Sequence, residues 1–420
     1  MSTPPVLSRI VLGYSPMIDR TRSAVAVRLT VYPEPRDAAP DAAGLLEAVA
    51  TVWPAPAAQA ETATQPAGAP AVGGSATPVV LNIVSEPWLR AVLASRPPLH
   101  LLLEVPAFMA TQPDCAHTLR ALKAAGHALM VKGRPAQELP PEVRSCFSHA
   151  LADAQDEPPD PPGPPDGASG TAGRIAGRIA VVRGGVDTMA DLNAAFACGA
   201  VATLGWPLDG RADGVGSAAA DIAVVTELMQ RVDREEPVER LEAVIRKDPQ
   251  LAFRLIRHLN SAAYGLPVEV STFRHALMLM GYGPLKRWLA LLLVTAGRDP
   301  ALRPAMFAAV RRGLLMEELV RATADEETRG EMFICGVFSL LDVMLGRSFD
   351  ELFRSVPVPE RVQQALVEET GPYHAALTLA RALEQGVRSD ILAAADGCFL
   401  SLGEVNGALL RALAAARELA

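Results

Sequence analysis

A change of rhythm partway along the chain most constrains its fold. From Arg9 to about Leu208, short apolar runs alternate with amphipathic helical patterns; beyond Asp213-Gly214-Val215-Gly216 the pattern is helical to Ala420. Residues 9–32 read as two strands joined by a polar turn at Asp19-Arg20-Thr21, with Val25, Val27, Leu29 and Val31 alternating in the second. DAAGLLEAVATVW reads as a helix. The runs VVLNIV, LHLLLEV and HALMV then read as strands, separated by the helices PWLRAVLAS and CAHTLRALKAAG. A helix-like segment follows around Val143 to Ala154, and then GRIAVVRGG, TMADLNAAFACG and AVATLGWPL read as strand, helix and strand. Alternation of this kind belongs to a parallel sheet with covering helices, whose strands are apolar because both faces are buried. The fold class expected is therefore α/β plus all-α, with domains at 1–215 and 216–420.

Two stretches break the first half. PAPAAQAETATQPAGAPAVGGSATP, within 54–78, and DEPPDPPGPPDGASGTAG, near 155–173, bury too little apolar surface to offset the entropy of ordering them, and disordered insertions are expected at both. Whether a sheet interrupted in this way closes on itself is left open by the sequence. The chain has 420 residues, more than one ordinary core accommodates, with 50% hydrophobic and 20% charged residues, as in soluble globular proteins. A net charge of −8 gives no general footprint for nucleic acid. No leader-like start and no apolar run of membrane-spanning length is apparent, so a cytoplasmic location is expected. The five cysteines, Cys115, Cys146, Cys198, Cys335 and Cys398, are scattered without CxxC or His spacing and read as small buried hydrophobes.

Within the second half, Leu241–Trp288 has the clearest local logic. Asp248 can cap a helix that starts at Pro249 and carries Leu251, Leu255 and Leu259 on one face. Gly265 and Pro267 end it; Ser271 or Thr272 caps a second helix, closed by Gly281; Gly283-Pro284 opens a third. DPQLAFRLIRHLNSAAYG followed by ALMLMGYGPLKRWLALL resembles an HDOD domain, and MFICGVFSLLDVMLG onwards is similar to that family's second half. Asp248, Pro249, Asn260, Ser261, Gly265, Gly281, Gly336, Asp342 and the Pro357-Val358-Pro359 run before Glu360 carry the likeness.

An α/β repeat followed by such a domain resembles the EAL–HDOD architecture, whose first domain is similar to cyclic di-GMP phosphodiesterase barrels. The resemblance implies a degenerate EAL-type (β/α) barrel, incomplete if strands were lost at the insertions, followed by an all-helical HDOD domain. It also implies a depleted metal site. Arg28-Leu29-Thr30 stands where the Glu-Ala-Leu signature would be, Lys132 and Gly133 where two aspartates would be, and Gly184 where a glutamate would be. Asn82, Glu104 and Asp187 are the remnant of that pocket, Leu204-Gly205 replaces a Gln-Gly pair, and the lysine-bearing strand has no assignable equivalent. In the second domain, Ser339-Leu340 stands where related phosphohydrolases carry adjacent His and Asp ligands, and Asp342 reads as a packing or loop-bonding group.

No cofactor is expected, and no metal site. His258, His275 and His374 lie on separate predicted helices. Asn260 and Ser261 read as helix-end caps, and Arg254, Arg257, Arg274, Lys286, Arg287, Arg311 and Arg312 as solvated helix faces. The function expected is non-catalytic signal transduction through a protein partner such as a histidine kinase, a diguanylate cyclase or another regulator, without membrane or nucleic acid; a second copy of the chain is also open as a partner. The alternative is a cyclic di-GMP receptor or residual phosphodiesterase.

Overall fold

A computed structural model describes residues 4–54, 79–133, 138–153, 179–210, 218–245, 278, 281–295 and 299–418. The expected insertions lie almost wholly outside the described residues, as do Asp248, Pro249, Asn260, Ser261 and Gly265, the Ser271/Thr272 cap, His258, His275, Arg254, Arg257 and Arg274.

The strands β1 (Ile10–Asp19), β2 (Ala24–Pro33), β3 (Val79–Ile83), β4 (Leu101–Pro106), β5 (Ala128–Lys132), β6 (His149–Asp153), β7 (Ala180–Gly184) and β8 (Ala202–Leu204) form a closed barrel in sequence order. Strand β1 runs antiparallel to β2 and to β8, and every other neighbouring pair is parallel. Interrupted as it is, the sheet closes. Helices α1 (Ala42–Val52), α2 (Glu86–Ala94), α3 (Ala107–Ala110), α4 (Pro113–Ala124), α5 (Pro141–Arg144) and α6 (Met189–Ala197) fill the connections. Capping accounts for two of their starts: Asp41 accepts from the Gly44 amide and Thr188 from the Asp191 amide.

One expectation is corrected. The helix-like segment around Val143 to Ala154 is the short helix α5 and then the strand β6, which pairs with β5 on one side and β7 on the other. Ala and Leu in HALAD favour a helix in isolation, but the vacancy between two parallel strands decides their conformation.

The interior follows the period of two. Met17, Ala26, Val80, Met130, Leu151, Val182, Ala202 and Leu204 form one buried cluster inside the barrel. Two residues further along five of these strands come Arg28, midway along β2, and Asn82, Lys132, Asp153 and Gly184, at or next to the carboxyl ends of theirs, and Glu104 follows Leu102 in the same way. The packed floor and the polar mouth are thus successive layers of one barrel.

By packing, the chain divides into two units. One comprises Met1–Asp209 with Arg381–Arg417, and the other Gly210–Ala380 with Glu418–Ala420. The second unit is helical, with α7 (Ala218–Asp233), α8 (Val238–Ile245), α9 (Tyr282–Thr295), α10 (Arg303–Leu319), α11 (Glu326–Phe338), α12 (Leu341–Leu345), α13 (Phe349–Leu352), α14 (Glu360–Leu366) and most of α15 (Gly371–Gln385). The helices α16 (Arg388–Gly397) and α17 (Leu402–Glu418) pack with the barrel, save the last residue of α17. Gly281 has a φ of +75° just before α9, the left-handed geometry of a helix terminator.

Helix α10 is the axis of the second unit, buried along most of its length. A Cβ on Gly336 would lie 2.6 Å from the carbonyl of Arg312 and the nitrogen of Gly313, so α10 and α11 cross backbone to backbone there. That setting corrects a second expectation. Arg311 and Arg312 are buried rather than on a solvated face: Arg311 lies over the Phe307 ring, 3.1 Å from its centre, and Arg312 donates to Ser339 Oγ at 3.1 Å. Among the described residues no single helix is long and apolar enough to cross a membrane.

Candidate functional site at the barrel mouth

Carboxyl ends of barrel strands are where such folds place their chemistry. Here that layer is organised around Glu104, whose side chain has no exposed surface. Arg28, reaching across from β2, grips it in a two-pronged pair: Nε donates to Oε1 at 2.6 Å and Nη2 to Oε2 at 2.7 Å. Lys132 from β5 brings its Nζ to 3.9 Å from Oε2 on the other side. The same ammonium donates to Asn82 Oδ1 at 3.2 Å, and Asn82 Nδ2 donates to Thr30 Oγ1 at 3.2 Å. Register places Thr30 opposite Asn82 and Pro106 opposite Lys132, so a continuous polar chain crosses four strands.

The charges respond to one another. Burial presses the Arg28 guanidinium toward losing its proton, but the Glu104 carboxylate outweighs this through its charge and hydrogen bonds, and the pKa of Arg28 is raised. Lys132 moves the other way. Burial and the neighbouring Arg28 lower its pKa more than Glu104 and Asp153 raise it.

This donor set fits a divalent cation poorly. The buried carboxylate and the Asn82 amide oxygen each already face a positive side chain, and two fixed cations would repel a third. Of the remnant residues, Asn82 and Glu104 are brought together, whereas Asp187 is exposed on the loop between β7 and α6 and bonds to neither. Among the described residues no three His, Cys, Asp or Glu side chains gather as a metal-holding group.

The sequence reading missed Asp153. It ends β6, the strand with no assignable equivalent, and its Oδ1 would lie 3.2 Å from a Cβ on Gly184. The short apolar run Ala150-Leu151-Ala152 before it carries little strand signal, and the proline-rich run that follows obscures it. Gly205 is required sterically: at φ +148° a Cβ would come 2.1 Å from the Val186 carbonyl oxygen.

In the helical unit, Ser339 is buried, donates to the Gly336 carbonyl at 2.7 Å and accepts from Arg312. Asp342 is half-buried in the first turn of α12, where a carboxylate suits the helix N-terminus. His374 Nδ1 lies 3.4 Å from the Ala365 carbonyl and Nε2 3.4 Å from Thr378 Oγ1. Arg287 is engaged with Glu317 at 2.6 Å and lies over Phe333, and Lys286 pairs with Asp233 at 2.9 Å.

An eight-stranded mixed barrel followed by a helical HDOD region is the class these features define: the HDOD domain family matches residues 220–356. Two relatives accompany that match. The chain is 29% identical over 163 residues to the uncharacterized protein YuxH of Bacillus subtilis (strain 168), 38% of this chain and 39% of the relative. It is 27% identical over 157 residues to the cyclic di-GMP phosphodiesterase CdgJ of Vibrio cholerae, 36% of each chain. The match thus spans well under half the length of either relative. A solved structure, the PaMucR phosphodiesterase in complex with c-di-GMP, aligns over 47% of this chain and 94% of its own at 17% identity, with a TM-score of 0.31.

Proposed function

We propose that this chain is a signalling protein of a cyclic di-GMP network that acts by binding a protein partner and does not hydrolyse a phosphodiester at the barrel mouth. The observation that carries the proposal is the buried Arg28–Glu104 pair, flanked by Lys132. In-line hydrolysis by divalent ions needs several oxygen ligands to hold the metals and to lower the pKa of the attacking water. Here the central carboxylate spends both oxygens on a guanidinium. The similarity to a relative named as a cyclic di-GMP phosphodiesterase supports the signalling setting, but it covers 36% of that protein and does not carry its activity over. With Ser339-Leu340 in place of a His-Asp ligand pair, the helical unit also fits a binding role. A histidine kinase, a diguanylate cyclase or another regulator is the partner class proposed.

The test is turnover of cyclic di-GMP by the full chain with Mg²⁺ or Mn²⁺. No product is expected. Hydrolysis that disappears in Glu104→Ala would overturn the proposal. A second reading, a receptor that binds the dinucleotide without turnover, is favoured by one feature: the two cations at the mouth suit a phosphate. Calorimetric titration separates the readings, since saturable binding lost on Lys132→Ala would establish a receptor and absence of heat would leave the protein-partner role.

A further inference from the structure

The barrel closes through a short seam. Strand β8 covers only Met17–Asp19 of β1, and the Gly205 amide reaches the Pro16 carbonyl at 3.4 Å. Before that point no strand runs beside β1 on this side among the described residues. An edge left in this way presents unpaired amides and carbonyls.

Asn406, in α17 and wholly buried, meets that edge. Its Oδ1 accepts from the Leu12 amide at 3.1 Å, while Nδ2 donates to the Ile10 carbonyl at 2.7 Å and to the Leu7 carbonyl at 2.8 Å. Leu12 N–H and Ile10 C=O point to the same side of a strand, two residues apart, so the side-chain amide does there what the N–H and C=O of one residue in a neighbouring parallel strand would do. Around it the segment makes further bonds: Tyr14 Oη donates to Glu384 Oε1 at 3.4 Å, Tyr32 Oη to the Gly386 carbonyl at 2.6 Å, Arg388 pairs with Glu34, and Arg417 reaches the Val52 carbonyl. Close approach is enabled by glycine, since a Cβ on Gly13 would lie 2.7 Å from the Gly386 Cα. Trp206 Nε1 donates to the Glu384 carbonyl at 2.8 Å, so the chain leaves the barrel and returns to it at one place.

We infer that residues 381–417 are a strap that completes the barrel, with Asn406 acting as a surrogate strand residue, and that the helical unit is a domain inserted between the last barrel strand and its own closing strap. Neighbouring exit and return points are what domain insertion requires. A consequence is that the chain end, far from the barrel in sequence, controls the barrel's integrity.

The test is hydrogen exchange, read by mass spectrometry on the full chain carrying Asn406→Leu. This variant keeps the bulk of the side chain and leaves the Leu12 amide and two carbonyls without partners. Amides of residues 10–16 should exchange about tenfold faster or more, while α10 and α11 keep their protection. Unchanged exchange in β1, or acceleration spread equally over α10 and α11, would overturn the inference. Should Asn406→Leu fail to fold, Gly13→Ala presses the strap away without touching Asn406, and the same two patterns decide the outcome.

Discussion

Glu104 carries its charge with no side-chain surface in water, which is sustainable only because Arg28 answers both oxygens. Removing one partner of such a pair strands the other, whereas an exposed pair is screened and contributes little. Glu104→Gln should therefore lower unfolding stability by about 3 kcal/mol, the scale for breaking a buried pair. Glu86→Gln, which removes an ion pair to Arg90 with both side chains about two-fifths exposed, should change it by roughly 0.5 kcal/mol or less. Denaturant titration of the two variants checks the contrast, and equal effects would mean that the mouth network is not held as described. The sequence flagged Arg28, Glu104 and Lys132 one by one, as residues of the wrong kind or survivors of the right kind. Their pairing was not legible, because β2 and β4 are not neighbours and only curvature brings Arg28 across β3 to Glu104.

At the scale of the element, two glycines in α11 separate propensity from packing. Gly330 has nothing within 4 Å of a Cβ built on it, so Gly330→Ala should stabilise by about 0.8 kcal/mol through helix propensity alone. Gly336 sits at the crossing with α10, where the added carbon would strike backbone at 2.6 Å. Gly336→Ala should cost about 2 kcal/mol by forcing the helices apart. Opposite signs in thermal or denaturant unfolding are the result to look for. Gly336 was visible in the sequence as part of a motif; its reason was not, since the partner is the backbone of Arg312 and Gly313 in another helix. Most strands and helices of the barrel were legible because their apolar periods are intact. The exception, β6, is instructive: five residues, two of them Ala and one Leu, carry no strand preference of their own and are ordered by β5 and β7.

At the scale of the whole molecule, the least legible feature is which part of the chain packs with which. Residues 381–417 read as a continuation of the helical half, and nothing local distinguishes them, because a buried asparagine mid-helix has no partner on its own element. The strap predicts how the chain can be divided. A fragment ending at 215 would uncover the seam of β1 and the surfaces that Val405, Leu409 and Leu413 help bury. Three aliphatic side chains at roughly 1.5–3 kcal/mol each come to about 5 kcal/mol or more. Unfolding free energies of whole domains are on the order of 5–15 kcal/mol, so the fragment should be marginal or molten even with all eight strands present. Joining residue 209 to residue 381 through a short Gly/Ser linker should restore cooperative unfolding, because Trp206 and Glu384 already touch and the loop to be closed is small. Thermal unfolding followed by near-ultraviolet circular dichroism compares the two chains directly. A sharp transition in the 1–215 fragment alone would show that the barrel does not need its strap, whereas a broad one that sharpens on rejoining 381–417 would make that segment the barrel's last structural element.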